Sequence, residues 1–345
     1  MSGIFTFRVR VYRINREKDT EGRYQVYSVP IQQDDRVLDV LERIKETADP
    51  CLAFSRSCRH GICGSCAVTY NGKAVLACKT QALDAELIAK NGKGEITIEP
   101  VKKKDAVKDL IVDRSPFWEA YARIDPFLIN SASKAVSSTS STAGAVLRDE
   151  AVSEYAAKNR KAVSDFTSVG LLTAEGLENC IQCGICTSVC PVFDETSSFL
   201  GPAALVKLAR FYQDGRDINA KRVIAANRPG GGVWECIKCM RCVDACPKGI
   251  DPYKQITLLH NALFKTGVQF DDARVRHAEG FRWLVKWTGI LHEPLVALWS
   301  LRFGILRYLR RMMFMVLRGK ALDIPGLLRS DKQKEIRNIM KEGGE

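Results

Sequence analysis

The chain is 345 residues long, carries a formal net charge of +12 and is 46% hydrophobic, which suits two folded domains with an appendage. Its thirteen cysteines cluster at ligand spacings, and no apolar N-terminal h-region or twin-arginine signal accompanies them, so nothing requires an oxidising compartment and a cytoplasmic location is expected. The charge does not point to nucleic acid: residues 281–320 hold eight Lys/Arg and one acid, Glu293, among Trp, Leu, Phe and Met, a mixture suited to a membrane surface or an anionic partner.

The first residues alternate, with Phe5, Phe7, Val9 and Val11 on one face and Thr6, Arg8, Arg10 and Tyr12 on the other, which predicts a strand. Tyr24 to Ile31 reads as a second strand. Asp34 or Asp35 can cap a helix that buries Val37, Val40, Leu41 and Ile44 and ends near Pro50. Asn71-Gly72 is a hairpin signal between Ala67–Tyr70 and Ala74–Ala77, and Glu95–Glu99 supplies a last strand. Strand, strand, helix, strands is a β-grasp order. Within it, Cys58-Arg-His-Gly-Ile-Cys63-Gly-Ser-Cys66 and the later Cys78 reproduce the plant-type [2Fe–2S] spacing, with Gly61 and Gly64 letting the loop wrap closely. Cys51 falls outside this pattern and reads as a buried small apolar residue. His60 reads as a surface loop residue, because a Rieske centre needs two histidines on one iron.

Pro116-Phe-Trp-Glu-Ala-Tyr predicts a short helix between domains, and Ser131–Gly144 reads as a linker. From Val146 the pattern turns helical. Pro202 opens a helix with Leu205, Leu208, Ala209 and Tyr212 on one face, and Asp251-Pro252 opens another that Gly267 closes. Two copies of C-x2-C-x2-C-x3-C-P punctuate this half, Cys180/Cys183/Cys186/Cys190 with Pro191 and, 56 residues on, Cys236/Cys239/Cys242/Cys246 with Pro247. This is the bacterial ferredoxin run, in which three thiolates hold one cubane and the fourth crosses to the other. Cys180, Cys183, Cys186 and Cys246 are therefore assigned to a first [4Fe–4S] cluster, and Cys190, Cys236, Cys239 and Cys242 to a second. Zinc, the alternative, usually takes paired C-x2-4-C ligands instead. The expected organisation is α+β: a β-grasp plant-type ferredoxin domain at 1–105, a connector and linker at 106–145, an all-helical bacterial-type ferredoxin domain at 146–265 and a basic helical extension at 266–345.

Ser57-Cys58-Arg59, Gly61-Ile62-Cys63-Gly64-Ser65-Cys66, Leu76-Ala77-Cys78, Lys108-Asp109-Leu110-Ile111-Val112-Asp113 and Cys246-Pro247-Lys248-Gly249 stand in the order found in iron–sulfur subunits of succinate dehydrogenases and fumarate reductases. Residues 1–265 resemble that family. The resemblance implies an oxidoreductase subunit that does no bond chemistry itself. It would relay single electrons between FAD in a flavoprotein subunit and quinone in a membrane anchor, peripheral on the inner face of the cell membrane. In the common form of the family the position of Cys239 is not cysteine and the quinone-side cluster is [3Fe–4S]. Here the complete triplet predicts [4Fe–4S], the alternative being an unused Cys239 thiol beside a three-iron cluster. The family's usual quinone contacts, Ser and Trp after the first Cys-Pro and His after the first cysteine of the second run, are absent: Val192-Phe193-Asp194-Glu195 and Ile237 stand there.

The extension past Lys265 is longer than the common form. A wheel over Leu298–Leu317 groups Leu298, Leu301, Ile305, Tyr308, Leu309, Met312 and Met315 opposite Arg302, Arg307, Arg310, Arg311 and Arg318. Its uncharged runs are too short to span a bilayer, so it packs on its own protein or docks on a partner or membrane surface. Leu177-Glu178-Asn179-Cys180-Ile181-Gln182-Cys183-Gly184 and the extension also resemble the small iron–sulfur subunit of heterodisulfide reductases. That implies a second reading, a relay in a thiol-linked fumarate reductase or heterodisulfide-type complex, with an anchor of CCG-domain type. A free carrier ferredoxin is a third, and it would need neither three cluster motifs nor a basic apolar tail.

Overall fold

The computed structural model describes residues 4–89, 92–129, 176–196, 199–214, 217, 222–227, 232–266, 273–289, 291 and 293–301, with five isolated positions beyond. The chain divides into two compact units, Met1–Val268 and Gln269–Glu345. It is a mixed α+β protein.

In the first unit, β1 (Ile4–Arg13) and β2 (Arg23–Gln32) pair antiparallel with Phe7 opposite Val29. β3 (Ala67–Tyr70), β4 (Lys73–Leu76) and β5 (Glu95–Pro100) complete a sheet of order β2-β1-β5-β3-β4, with β5 parallel to β1. The period-two alternation puts Phe7, Val9 and Val11 into the core beside Ile31, Ile96 and Ile98, each at most 1% exposed. Each such side chain contributes about 1.5–3 kcal/mol on burial. Tyr12, expected on the solvent face, is also buried, in a small second cluster with Ile14 and Ala106 and edge-on to Tyr24. Asn71 and Gly72 both have positive φ (46° and 79°), the geometry a two-residue hairpin of matching twist requires. α1 (Val37–Thr47) lies on the core through Val37, Leu38, Val40, Leu41 and Ile44. Neither Asp34 nor Asp35 caps it. The N-cap is Arg36, whose N–H donates to Asp39 at 2.8 Å, while Asp35 is engaged by Arg43 at 2.5 Å and by the Gln32 amide.

α2 (Ala85–Ala89), β6 (Ala106–Lys108) and β7 (Ile111–Val112) follow. Between β6 and β7, Asp109 adopts φ 50° and accepts from Arg13 Nε (2.9 Å), Ile14 N (3.2 Å) and Ala53 N (2.9 Å). Arg13 in turn donates to Tyr27 at 2.6 Å and pairs with Asp49. This buried cluster ties β1 and β6–β7 to the segment that leads into Cys58.

α3 (Ser115–Ala122) sends Phe117 and Tyr121 into the core of the helical half, where they meet Leu205 and Leu208 of α6 (Gly201–Tyr212) and Leu259 and Leu263 of α9 (Pro252–Thr266). The short helices α4 (Ile185–Ser188), α5 (Pro191–Glu195), α7 (Arg222–Ala226) and α8 (Arg241–Asp244) complete this half. α6 is buried almost all round, Phe211 included, whereas Tyr212 is only half-buried. Buried Arg222 donates to the carbonyls of Ile124 (3.0 Å), Asp125 and Phe127 (2.8 Å), pinning the chain after α3. The halves interlock: Ile185 is fully buried in the N-terminal core, and Lys102 and Lys104 pair with Asp194 of α5.

The second unit contains α10 (Ala273–Thr288) and α11 (Glu293–Leu301), whose Trp283 and Trp299 rings stack 5.4 Å apart over Gly280. Trp287 and Leu298 face solvent. No described helix is long and apolar enough to cross a membrane. The Ser131–Gly144 linker, the helical pattern from Val146 to Glu175 and, Phe314 apart, the Arg302–Leu317 part of the wheel lie outside the described residues.

Candidate metal centres

The β3–β4 hairpin sets Cys66 and Cys78 side by side at its open end, where the Ala77 amide donates to the Cys66 carbonyl at 3.0 Å. The preceding loop brings Cys58 and Cys63 to them through positive φ at Arg59 (58°), Gly61 (66°) and Gly64 (71°). Those turns aim backbone N–H groups at sulfur. Cys63, Ile62 and His60 donate to Cys58 Sγ at 3.3, 3.3 and 3.4 Å, and Gly61 donates to Cys78 Sγ at 3.2 Å. The amides of Cys63, His60 and Ile62 pull the Cys58 thiol down to about 6, whereas burial pushes Cys66 up to about 12. Cys51 is exposed, contrary to expectation, and its amide donates to Asp49 Oδ1 at 3.0 Å. His60 is exposed as expected.

The two later runs share one loop geometry. Gln182 and Gly184 in the first have φ of 54° and 79°; Lys238 and Met240, each 56 residues on, have 58° and 62°. These left-handed residues turn the amide of Gln182 toward Cys180 and that of Lys238 toward Cys236. Cys180, Cys183, Cys186 and Cys246 are gathered closely enough that each charge opposes the others, and Cys190, Cys236, Cys239 and Cys242 form a second such group. The last cysteine of each run thus sits with the other run's triplet. Burial is the main reason Cys180, Cys183, Cys186, Cys190, Cys236 and Cys242 are hard to ionise, Cys186 well above the usual range and Cys242 up to about 12. Such thiols become thiolates when a metal displaces the proton. Among the described residues no three metal-binding side chains converge on a single-ion site. An apolar cavity lined by Val192, Phe199, Pro202 and Ile256 opens onto the second group. Thiols under directed amides, in apolar surroundings, are the donor set that iron–sulfur clusters take.

The two kinds of centre touch. A Cβ on Gly64 would stand 2.7 Å from Cα and Cβ of Cys183, so the first loop lies directly on the second. The sequence accounts for Gly64 through close loop wrapping and amides aimed at sulfur; nothing local signals what it packs against. Sequence reasoning also passed over Arg114, whose guanidinium donates to the Gln182 carbonyl within this seam.

Residues 8–119 match the family of 2Fe-2S iron-sulfur cluster binding domains, and residues 176–250 the 4Fe-4S dicluster domain. The fumarate reductase iron-sulfur subunit of Haemophilus influenzae is 33% identical over 248 residues, covering 72% of this chain and 89% of that protein. The subunits of the same name from Mycobacterium tuberculosis (33%; 71% and 87%) and Escherichia coli O157:H7 (30%; 73% and 91%) agree. The chain belongs to the family of fumarate reductase iron–sulfur subunits. As a member of that family it is an oxidoreductase component that binds [2Fe–2S] and [4Fe–4S] clusters. Its fold is shared by a chain of the Mycobacterium smegmatis Sdh1 complex in the apo form, with a TM-score of 0.57, 22% identity and coverage of 76% of this chain and 98% of that one. The relatives named do not favour the heterodisulfide-type reading.

Proposed function

We infer that this subunit relays single electrons between FAD in a flavoprotein subunit and quinone in a membrane anchor, peripheral on the inner face of the cell membrane. The β-grasp domain would hold [2Fe–2S] through Cys58, Cys63, Cys66 and Cys78. Cys180, Cys183, Cys186 and Cys246 would hold a [4Fe–4S] cluster, and Cys190, Cys236, Cys239 and Cys242 a second one. Bound clusters supply one-electron chemistry; the protein spaces them, excludes water and directs amides at their sulfurs. The observation that carries this reading is the seam at Gly64 and Cys183, which leaves no room for a side chain between two ligand loops. Exchange of the fourth cysteines, Cys190 and Cys246, supports a continuous path through the helical half. The chain has no dinucleotide-binding fingerprint, so succinate oxidation to a dye requires the flavoprotein.

Cys239 completes the second triplet, and its exposed thiol stands with Cys190, Cys236 and Cys242. The expected iron content is therefore ten per chain. Iron analysis and electron paramagnetic resonance of anaerobically prepared, oxidised protein test this, since an oxidised [3Fe–4S] centre is paramagnetic and an oxidised [4Fe–4S] centre is silent. Nine irons with a near-stoichiometric three-iron signal, unchanged in Cys239→Val, would overturn it.

A further inference from the structure

Arg114 caps α3 at the seam between the two halves of the first unit. Its Nη2 donates to the Gln182 carbonyl, inside the Cys180–Cys183 loop, and a Cβ on Gly184 would lie 3.4 Å from the same nitrogen. The guanidinium is flanked by the rings of Phe117 and Trp118, with centroids 4.9 and 5.1 Å away. Gln182 is held from its other end by Tyr121, 2.6 Å from its Nε2. Arg114, Gly64, Ser65, Cys183 and Gly184 line one cavity, so the cation stands between the first loop and the first cubane run. Among the described residues no carboxylate pairs with it; Asp113 is turned away to the Ser115 amide and hydroxyl, at 2.8 and 2.7 Å. A guanidinium remains charged in proteins. Half-buried among aromatic rings, its field is screened less than that of a surface lysine.

We propose that Arg114 is a positioning residue that sets the reduction potential of the cluster held by Cys180, Cys183, Cys186 and Cys246. The inference rests on the proposed assignment of those four cysteines to a cubane. Reduction adds one negative charge to that centre, and an unpaired cation beside Cys183 favours the reduced form. Arg114 thereby makes the middle centre a better electron acceptor from the flavin side. The centre held by Cys190, Cys236, Cys239 and Cys242 is left unaffected, because Arg114 is bonded to the other loop and the cation felt by Cys236 is Lys238 of its own run.

The charge and the hydrogen bond separate by substitution. Arg114→Lys keeps the charge; Arg114→Gln keeps a donor and loses it. Redox titration of the assembled complex, followed by electron paramagnetic resonance of the reduced centres, reads each midpoint. Arg114→Gln is expected to disfavour reduction of the middle centre about tenfold, a fall of about 59 mV for one electron, with Arg114→Lys close to wild type and the last centre unmoved. Arg114→Met serves as the charge-free variant if Arg114→Gln does not load its clusters. Unchanged midpoints in the charge-free variant overturn the inference, as does a shift in Arg114→Lys equal to that in Arg114→Gln. Failure of the wild type itself to show a reduced cubane signal would instead remove the ligand assignment on which the inference rests.

Discussion

The two C-x2-C-x2-C-x3-C-P runs are nearly the same phrase in opposite surroundings. The first is inside the protein: Ile185 is fully buried, Cys183 lies against Gly64, and Arg114 covers the loop carbonyl. The second is at the surface, with Ile237 63% and Met240 45% exposed and the Cys239 thiol open. Identical ligand spacing therefore does not produce identical centres. An enclosed centre suits passage of electrons within the chain, while an exposed apolar rim suits exchange with a partner. The departure from glycine at Met240 fits this contrast. The first run places Gly184 at its left-handed position and packs α3 against it, whereas the second carries a side chain there, Met240, which is half exposed among the described residues.

The strongest way to break the contrast is to remove one ligand from each run. Cys186→Ser is expected to abolish its cluster and unfold the helical half, because binding of the metal is part of the folding energy there. Cys239→Ser is expected to leave a folded protein short of about one iron, because three thiolates of the exposed group remain to hold the rest of the proposed cluster. Iron analysis with thermal unfolding distinguishes them; equal loss in both would mean that the surroundings of the two runs do not matter.

Gly64→Ala attacks the enclosed side. The added methyl meets Cys183 backbone at 2.7 Å and sits at a φ of 71°, so about 2–4 kcal/mol of destabilisation is expected from overpacking and left-handed strain together. Denaturant unfolding measures it, and the electron-transfer rate from the first centre should fall with the widened seam.

Acid should loosen the approach to the second run instead. His260 is buried against Trp234, its Nε2 3.0 Å from the Val233 carbonyl just before Cys236, and burial lowers its pKa to about 4. The unfolded state binds a proton near the ordinary value of 6.5 and the folded state does not until about 4, so stability is present above pH 6.5 and is lost as pH falls toward 4. The loss is at most about 3 kcal/mol. Unfolding of His260→Gln should be flatter across that window; an unchanged pH slope would assign the effect to other groups.

The smallest effect lies at the repeated left-handed position. Gly184→Ala is expected to cost about 1 kcal/mol, and Met240→Gly to be neutral or stabilising by less than that, since relieved strain is offset by a freer unfolded chain. Equilibrium unfolding of the two variants gives both signs.

Local rules made much of this protein legible. Period-two alternation marks the strands, Asn71-Gly72 the hairpin, Pro116, Pro202 and Pro252 the helix starts, and cysteine spacing the candidate ligands, because each depends on residues a few positions apart. Tyr12 and the α1 cap escaped that reasoning: whether a strand's second face is covered, and which neighbour captures Asp35, depends on β6 and on Arg43. The exposure of Cys51 is likewise decided by packing that no local pattern encodes. The sequence by itself determined the kinds of centre expected and the residues available to hold them. Only the tertiary structure decided that Gly64 rests on Cys183, that Arg114 stands between two ligand loops with its guanidinium on the Gln182 carbonyl, and that one run is enclosed while its copy faces outward. Those outcomes join residues 68 to 119 positions apart, and contact, burial and electrostatic field at such separations are properties of packing rather than of any local pattern.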